Sequence, residues 1–120
     1  MNKALDKKEH ILDCGMGVMF KQGYNGTGVQ NIVKAAGVPK GSFYNYFDSK
    51  ESFAVEGVTR AAKQGFEQAD SMLSDASIPP LQRVVQYFEQ GVQCQISAGF
   101  AGGCLIGNLC QEMADVSESL

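Results

Sequence analysis

The chain has 120 residues, of which 44% are hydrophobic and 19% are charged, a balance typical of a globular unit with a buried core. No apolar run is long enough to span a bilayer, and the charged N-terminus lacks the pattern of a secretion signal, so we expect a cytoplasmic protein without a membrane partner. Residues 1–50 carry seven lysines against four acids, whereas residues 51–120 carry three basic residues against nine acids. This asymmetry predicts an anionic partner, such as nucleic acid, for the first half alone.

The first two predicted helices lie in this basic half. The first is expected to end at Gly23, and its inward face is formed by residues at helical spacing: Ile11, Leu12, Gly15, Val18 and Met19. Thr27 followed by Gln30 has the capping-box pattern, so we expect Thr27 to be the N-cap of the second helix. That helix is expected to end at Gly37, where a left-handed residue can turn the chain.

The next two predicted helices follow the glycine turn. Pro39 suits the first turn of a third helix, in which Phe43 and Phe47 share one buried face. Asp48 or Ser49 is then expected to cap a long fourth helix, which extends to about position 73 and is ended by the segment SDASIPP.

Two further helices complete a predicted all-α fold. A fifth is expected from about Leu81 to the glycine-rich segment SAGFAGG, and its apolar residues recur at helical spacing. A sixth begins near Cys104 and is expected to continue to Leu120, so that the chain ends within a helix.

The segment from Gly37 to Phe53 combines lysines with closely spaced aromatic residues. Two short helices joined by a tight glycine turn form a helix-turn-helix pattern, whose second helix meets the base edges of DNA with its N-terminal turn. The polar and aromatic residues that this helix and the following turn offer to a nucleic acid are Lys40, Gly41, Ser42, Tyr44, Asn45, Tyr46 and Lys50. Exposed aromatic side chains beside lysines indicate a partner, and we expect double-stranded DNA.

The stretch GYNGTGVQNIVKAAGVPKGSFYNYFDSKESF, Gly23 to Phe53, resembles the DNA-binding region of the TetR family of bacterial transcriptional regulators. The shared features are a glycine-aromatic pair, a capped helix, A-G-V, K-G-x-x-Y-x-x-F and K-E. The resemblance implies a homodimeric regulator, usually a repressor, which binds a palindromic operator. It also implies that a ligand entering the C-terminal domain releases the DNA.

By position, the resemblance implies a set of DNA contacts in this chain. It implies phosphate contacts from Thr27, Tyr44, Tyr46 and Lys50. It implies base or groove contacts from Gln30, Lys40, Gly41, Ser42 and Asn45. The expected architecture is a three-helix bundle with the helix-turn-helix in residues 1–50 and a connecting fourth helix that begins near position 48. Residues 51–120 would be part of a helical domain for ligand binding and dimerisation.

The segment GGCLIGNLCQEMADVSESL resembles a subgroup of the same family that includes regulators responding to electrophiles and oxidants through cysteine. Cys104 matches the cysteine of that subgroup, and the positive end of a helix dipole would favour its thiolate. The alternative is a buried, inert thiol. The inducer is therefore expected to be either a thiol-reactive compound or another small molecule. Cys14 is expected to be structural.

An enzyme is not expected, because His10 is the only histidine and no converging nucleophile, base or metal set is visible. No cofactor and no metal are expected either. Glu112, Asp115 and Glu118 are interpreted as a solvated face of the last helix. The remaining alternative is a helical protein-interaction module without specific DNA binding, which would lack the strong salt dependence of phosphate contacts.

Overall fold

The computed structural model describes residues 3–120, with side chains from residue 6 onward, and this part of the chain is all-α as predicted. Its helices are α1 (Lys3–Gln22), α2 (Val29–Ala36), α3 (Lys40–Tyr44), α4 (Lys50–Leu73), α5 (Pro80–Ser97) and α6 (Leu105–Met113). Between residues 3 and 120, none of these helices combines the length and the apolar character that a membrane crossing requires.

A bundle of α1, α2 and α3, closed by the start of α4, contains most of the core. Its most deeply buried apolar side chains are Ile11, Leu12, Met19, Ile32, Phe43, Phe47 and Phe53. Helix α1 passes close to its neighbours at Gly15, where a Cβ atom would lie 2.5 Å from Cζ of Phe53 and 2.7 Å from Cγ2 of Ile32. Only glycine fits at this crossing without displacing those side chains.

The start of α2 differs from the prediction by one residue. Gly28, not Thr27, is the N-cap, and the side chain of Asn31 accepts a hydrogen bond from the Gly28 N–H at 2.8 Å. Thr27 is fully buried, and its hydroxyl donates to the carbonyl oxygen of Gly23 at 2.7 Å. The hydroxyl therefore closes the turn before α2 instead of capping the helix.

Helix α4 connects the bundle to the remaining helices. Ser49 is its N-cap, one of the two expected residues, and its Oγ accepts a hydrogen bond from the N–H of Ser52 at 3.1 Å. The fully buried residues of α4 all lie in its first turns: Phe53, Ala54 and Gly57. Further along, Val58 packs against the core, and Arg60 donates to the carboxylates of Glu9 and Asp13 on α1.

Helix α5 packs along α4, yet none of its side chains is buried. Its apolar residues recur at the spacing of a core-facing stripe, and they are Leu81, Val84, Val85, Phe88, Val92 and Ile96. Phe88 is 66% exposed. The residues of α5 that are patterned for a core therefore face solvent here.

Helix α6 is shorter than predicted, because it ends at Met113 and not at Leu120. The N–H groups of Val116 and Ser117 both donate to the carbonyl oxygen of Met113, so the chain turns there. Ser117 is buried, and the Ser119 hydroxyl donates to the Glu51 carboxylate at the start of α4. Hydrogen bonds from these two serines, that of Ser119 first, lower the pKa of Glu51. The last residues therefore fold back onto α4.

Candidate nucleic-acid interface

The helix-turn-helix consists of α2, a three-residue turn and α3. Gly37 adopts the predicted left-handed conformation with φ 68°, and the Val38 N–H donates to the carbonyl oxygen of Val33 at 3.1 Å. This pairing is typical of a helix that ends in a sharp turn. Pro39 is the N-cap of α3, with an extended backbone, so the residue lies just before the helix and not in its first turn.

Aromatic packing fixes the orientation of α3. Phe43 is fully buried, and its ring centroid lies 5.2 Å from that of Phe47 and 5.6 Å from that of Phe53. These separations are typical of stabilising aromatic pairs. Since the inner face of this short helix is held by three rings, its outer face has a defined direction.

The outer face presents much of the predicted set of contacts. The exposed members of that set are Gln30, Lys40, Gly41, Tyr44 and Asn45. Tyr44 is 50% exposed, and its ring packs edge-on against that of Phe43. The start of α2 and the length of α3 thus form one surface with hydroxyl, amide and ammonium donors.

Two members of the predicted set are buried. Ser42 is only 9% exposed, and Thr27 is not exposed at all. Both backbone N–H groups are also occupied, since that of Thr27 donates to Tyr24 and that of Ser42 donates to Pro39. Both residues are therefore enclosed by the protein in this conformation, so their contacts with DNA stay predictions that this burial does not favour. Tyr46 is half-buried and packs against the core.

Lys50 is half-buried and already has a protein partner. Its Nζ donates to the carbonyl oxygen of Tyr24 at 3.0 Å and lies 4.1 Å from the centroid of the Tyr24 ring. Burial raises the pKa of Tyr24, and the negative charge of Glu51 adds to the rise, so the phenol is protonated near neutral pH. An ammonium has three N–H donors, and the bond to Tyr24 uses one of them, so two donors are left for another acceptor.

Glu112 has a role that the sequence did not indicate. Its Oε2 accepts a hydrogen bond from the Tyr24 N–H at 2.8 Å, and its Oε1 accepts one from the Asn25 N–H at 2.6 Å. Glu112 therefore does not belong to a solvated face, unlike Asp115 and Glu118, which are exposed. No local signal could have revealed this contact, because it joins residues 88 positions apart.

The cysteines lie outside the helix-turn-helix surface. Cys104 is the N-cap of α6, where its sulfur accepts a hydrogen bond from the Gly107 N–H at 3.4 Å. It is exposed, which excludes the interpretation as a buried thiol, and Cys94 and Cys110 are also exposed. Cys14 is partly buried against the core, as expected for a structural residue. In the described part of the chain, no group of histidine, cysteine and acidic side chains could hold a metal ion.

A three-helix bundle that presents a polar, donor-rich recognition helix on a rigid aromatic base defines the class of helix-turn-helix DNA-binding domains. Residues 11–56 match the family described as "Bacterial regulatory proteins, tetR family". Residues 11–56, which contain most of the bundle and the start of α4, therefore belong to this family.

Individual relatives agree with this assignment. The chain is 38% identical over 111 residues to the HTH-type transcriptional repressor DhaR of Mycobacterium sp. (strain GP1). The aligned region covers 92% of the chain and 54% of DhaR. It is 34% identical over 122 residues to the HTH-type transcriptional repressor NemR of Escherichia coli (strain K12). The aligned region covers 100% of the chain and 61% of NemR. The chain thus spans less than two thirds of the length of these relatives.

Solved structures show the same arrangement of helices. The reduced form of E. coli NemR superposes with a TM-score of 0.85 at 33% identity, over 95% of this chain and 59% of that one. A TetR regulatory protein from Rhodobacter sphaeroides also superposes with a TM-score of 0.85, at 34% identity, over 92% of this chain and 58% of that one.

Proposed function

We propose that the chain is the DNA-binding part of a transcriptional repressor that binds a palindromic operator as a homodimer. The observation that carries the proposal is the outer face of α3, where Lys40, Tyr44 and Asn45 are exposed over a buried aromatic base. The named repressors among the relatives support the sign of regulation. Two such surfaces related by a two-fold axis would enter successive major grooves.

The proposed contacts fall into two groups. Gln30, Lys40, Gly41 and Asn45 would meet base edges or the groove, since amide and ammonium groups can bond to purine N7 and its neighbours. Tyr44, Tyr46 and Lys50 would bond to phosphate oxygens beside the groove. Helix α4 joins this surface to the second half, so we propose that an inducer acting there changes the tilt of α4 and the separation of the two recognition helices.

Substitution of Lys40 by alanine tests the DNA-binding surface. We expect the Lys40→Ala variant to bind the operator less favourably by about 1 to 3 kcal/mol, the usual cost of losing one base contact. The measurement is fluorescence anisotropy on DNA from just upstream of the chain's own gene, against salt concentration. Lys63→Ala is the matched control, because Lys63 is an exposed lysine on α4 away from α3.

The salt dependence distinguishes this proposal from a protein-interaction module. Binding through phosphates releases counterions, so the logarithm of the association constant falls by about 0.9 per contact for each unit of log salt. Equal affinity for all DNA sequences, or equal losses in Lys40→Ala and Lys63→Ala, would contradict the proposed operator surface.

We further propose that Cys104 senses electrophiles. The thiol would lose its proton to water, and the thiolate would attack the β-carbon of an α,β-unsaturated carbonyl. The C–S bond would form as the C=C π bond breaks, and the α-carbon would take a proton back from water. The adduct would occupy the N-cap position of α6, where the sulfur now accepts the Gly107 N–H. Loss of this cap would destabilise the helix that carries Glu112.

N-ethylmaleimide provides the test of this sensor. We expect the dissociation constant of the modified protein for its operator to rise about fivefold or more, as loss of a cap worth about 1 kcal/mol or more predicts. Cys104→Ser should keep its DNA affinity after treatment. Cys94→Ser and Cys110→Ser are the controls, because these cysteines are also exposed. If Cys104→Ser lost its operator to the same extent as the parent chain, the sensor would have to be another group.

A further inference from the structure

The turn between α1 and α2 is held from two sides by opposite charges. The peptide group that joins Tyr24 to Asn25 directs its N–H at the carboxylate of Glu112, at 2.6 Å, and its C=O at the ammonium of Lys50, at 3.0 Å. Each peptide has a dipole of about 3.5 D with its positive end at the N–H. The two charges are therefore placed at the ends of this dipole where each is attractive.

Glu112 makes a second hydrogen bond to the same turn. It also accepts the N–H of Tyr24 at 2.8 Å, so that one carboxylate holds two successive backbone donors. Gly23 leaves the space for it, because a Cβ atom there would lie 3.0 Å from the carboxylate Oε2. Gly23 also has φ +79°, a conformation that favours glycine.

Both charged residues are attached to firmly packed helices. Glu112 lies on α6 beside Leu109 and Met113, which are 6% and 3% exposed and pack in the common core. Lys50 is the first residue of α4, directly after the N-cap Ser49. Displacement of either helix end would therefore have to break the contacts to the turn.

The held turn leads directly into the proposed DNA surface. Its last residue, Thr27, donates its N–H to the same Tyr24 carbonyl oxygen at 3.2 Å, and Gly28 follows as the N-cap of α2. Gln30 lies in the first turn of α2 and is exposed. The position of this turn thus sets the position of the N-terminal end of α2.

We propose that Glu112 is a positioning residue for DNA binding, which acts by holding the Tyr24–Asn25 turn against Lys50 and so fixing the start of α2. This role rests on the proposed function, because it requires that α2 and α3 meet DNA. Glu112 itself would touch no nucleic acid. Its removal should weaken binding without changing the number of phosphate contacts.

The test compares Glu112→Gln with Glu118→Gln, which removes one negative charge from an exposed residue nearby in the chain. An amide has one oxygen for two N–H donors, and its NH2 group would oppose the other donor. We expect the dissociation constant for the operator to rise about tenfold in Glu112→Gln, as for the loss of a hydrogen bond to a charged group. The slope against log salt should stay at the parent value, and Glu118→Gln should match the parent chain.

Amide hydrogen exchange gives a second readout that does not involve DNA. The N–H groups of Tyr24 and Asn25 should exchange faster in Glu112→Gln than in the parent chain, with other amides of α2 less affected. Glu112→Asp, which keeps two acceptor oxygens, should recover part of the affinity and part of the protection. Lys50→Met removes the partner on the other side, so it should also accelerate exchange at Asn25.

The outcomes separate the two proposals. Unchanged exchange in Glu112→Gln would show that the carboxylate does not hold the turn. Faster exchange with unchanged operator affinity would overturn the positioning role while leaving the DNA-binding function in place. A parent chain without preference for any DNA sequence would overturn the proposed function and, with it, the role of Glu112 in binding.

Discussion

Replacement of Phe43 by alanine is expected to lower the free energy of unfolding by about 3 to 5 kcal/mol, the usual cost of truncating a buried phenylalanine. The ring is fully buried, and the rings of Phe47 and Phe53 lie against it, so alanine would leave a cavity in the aromatic base of α3. Urea denaturation followed by circular dichroism measures the change. A domain of this size has only about 5 to 15 kcal/mol to lose.

Tyr44→Ala is the matched control, since Tyr44 is the next residue and is 50% exposed. We expect a loss of stability well below that of Phe43→Ala, together with weaker binding to every DNA sequence, because the proposed hydroxyl contact is to phosphate. Equal losses of stability in the two variants would mean that burial of the ring does not distinguish Phe43 from Tyr44 in supporting α3.

Gly15→Ala is expected to lower the free energy of unfolding by about 1 to 3 kcal/mol, the usual cost of overpacking a core. The new methyl group would lie 2.5 Å from Cζ of Phe53 and 2.7 Å from Cγ2 of Ile32, so α1 would have to move away from α2 and α4. Thermal unfolding by circular dichroism gives the shift in Tm.

Gly17→Ala, in the same helix, is expected to raise the free energy of unfolding instead of lowering it. Apart from adjacent residues and the backbone of α1 itself, no atom lies within 4 Å of a Cβ built on Gly17. Alanine should therefore stabilise α1 by about 0.5 to 1 kcal/mol through helix propensity alone. If both variants changed stability in the same direction, close packing would not be the reason for glycine at position 15.

Local signals in the sequence were sufficient to predict most of the helices. Gly37 ends α2, Ser49 caps α4, and the pair Phe43 and Phe47 forms a buried face, all as expected. These features depend on residues within a few positions of one another. Helix spacing, turn glycines and caps are read from such short windows.

The sequence was not sufficient to predict which residue caps α2, because two overlapping pairs have the spacing of a capping box. Thr27 with Gln30 and Gly28 with Asn31 are equally spaced pairs, and the second is used because the Thr27 hydroxyl bonds to Gly23. The same bond engages the Thr27 hydroxyl within the protein, which does not favour a contact with phosphate.

The tertiary arrangement explains the other differences. The end of α6 depends on serines that fold back to Glu51, 68 positions away from Ser119. The pattern of the recognition helix predicted which residues are polar, but it could not show that Ser42 faces the core.

The absence of buried side chains on α5 means that stability is unevenly distributed along this chain. The deeply buried apolar groups belong to the bundle, the first turns of α4 and α6, whereas α5 and the later turns of α4 hold each other with partly hydrated contacts. Segments with few buried contacts open at a lower free energy than the global transition. We therefore expect α5 to open at a lower free energy than the bundle that carries the recognition helix, so that the DNA-binding surface would keep its shape while α5 opens and closes.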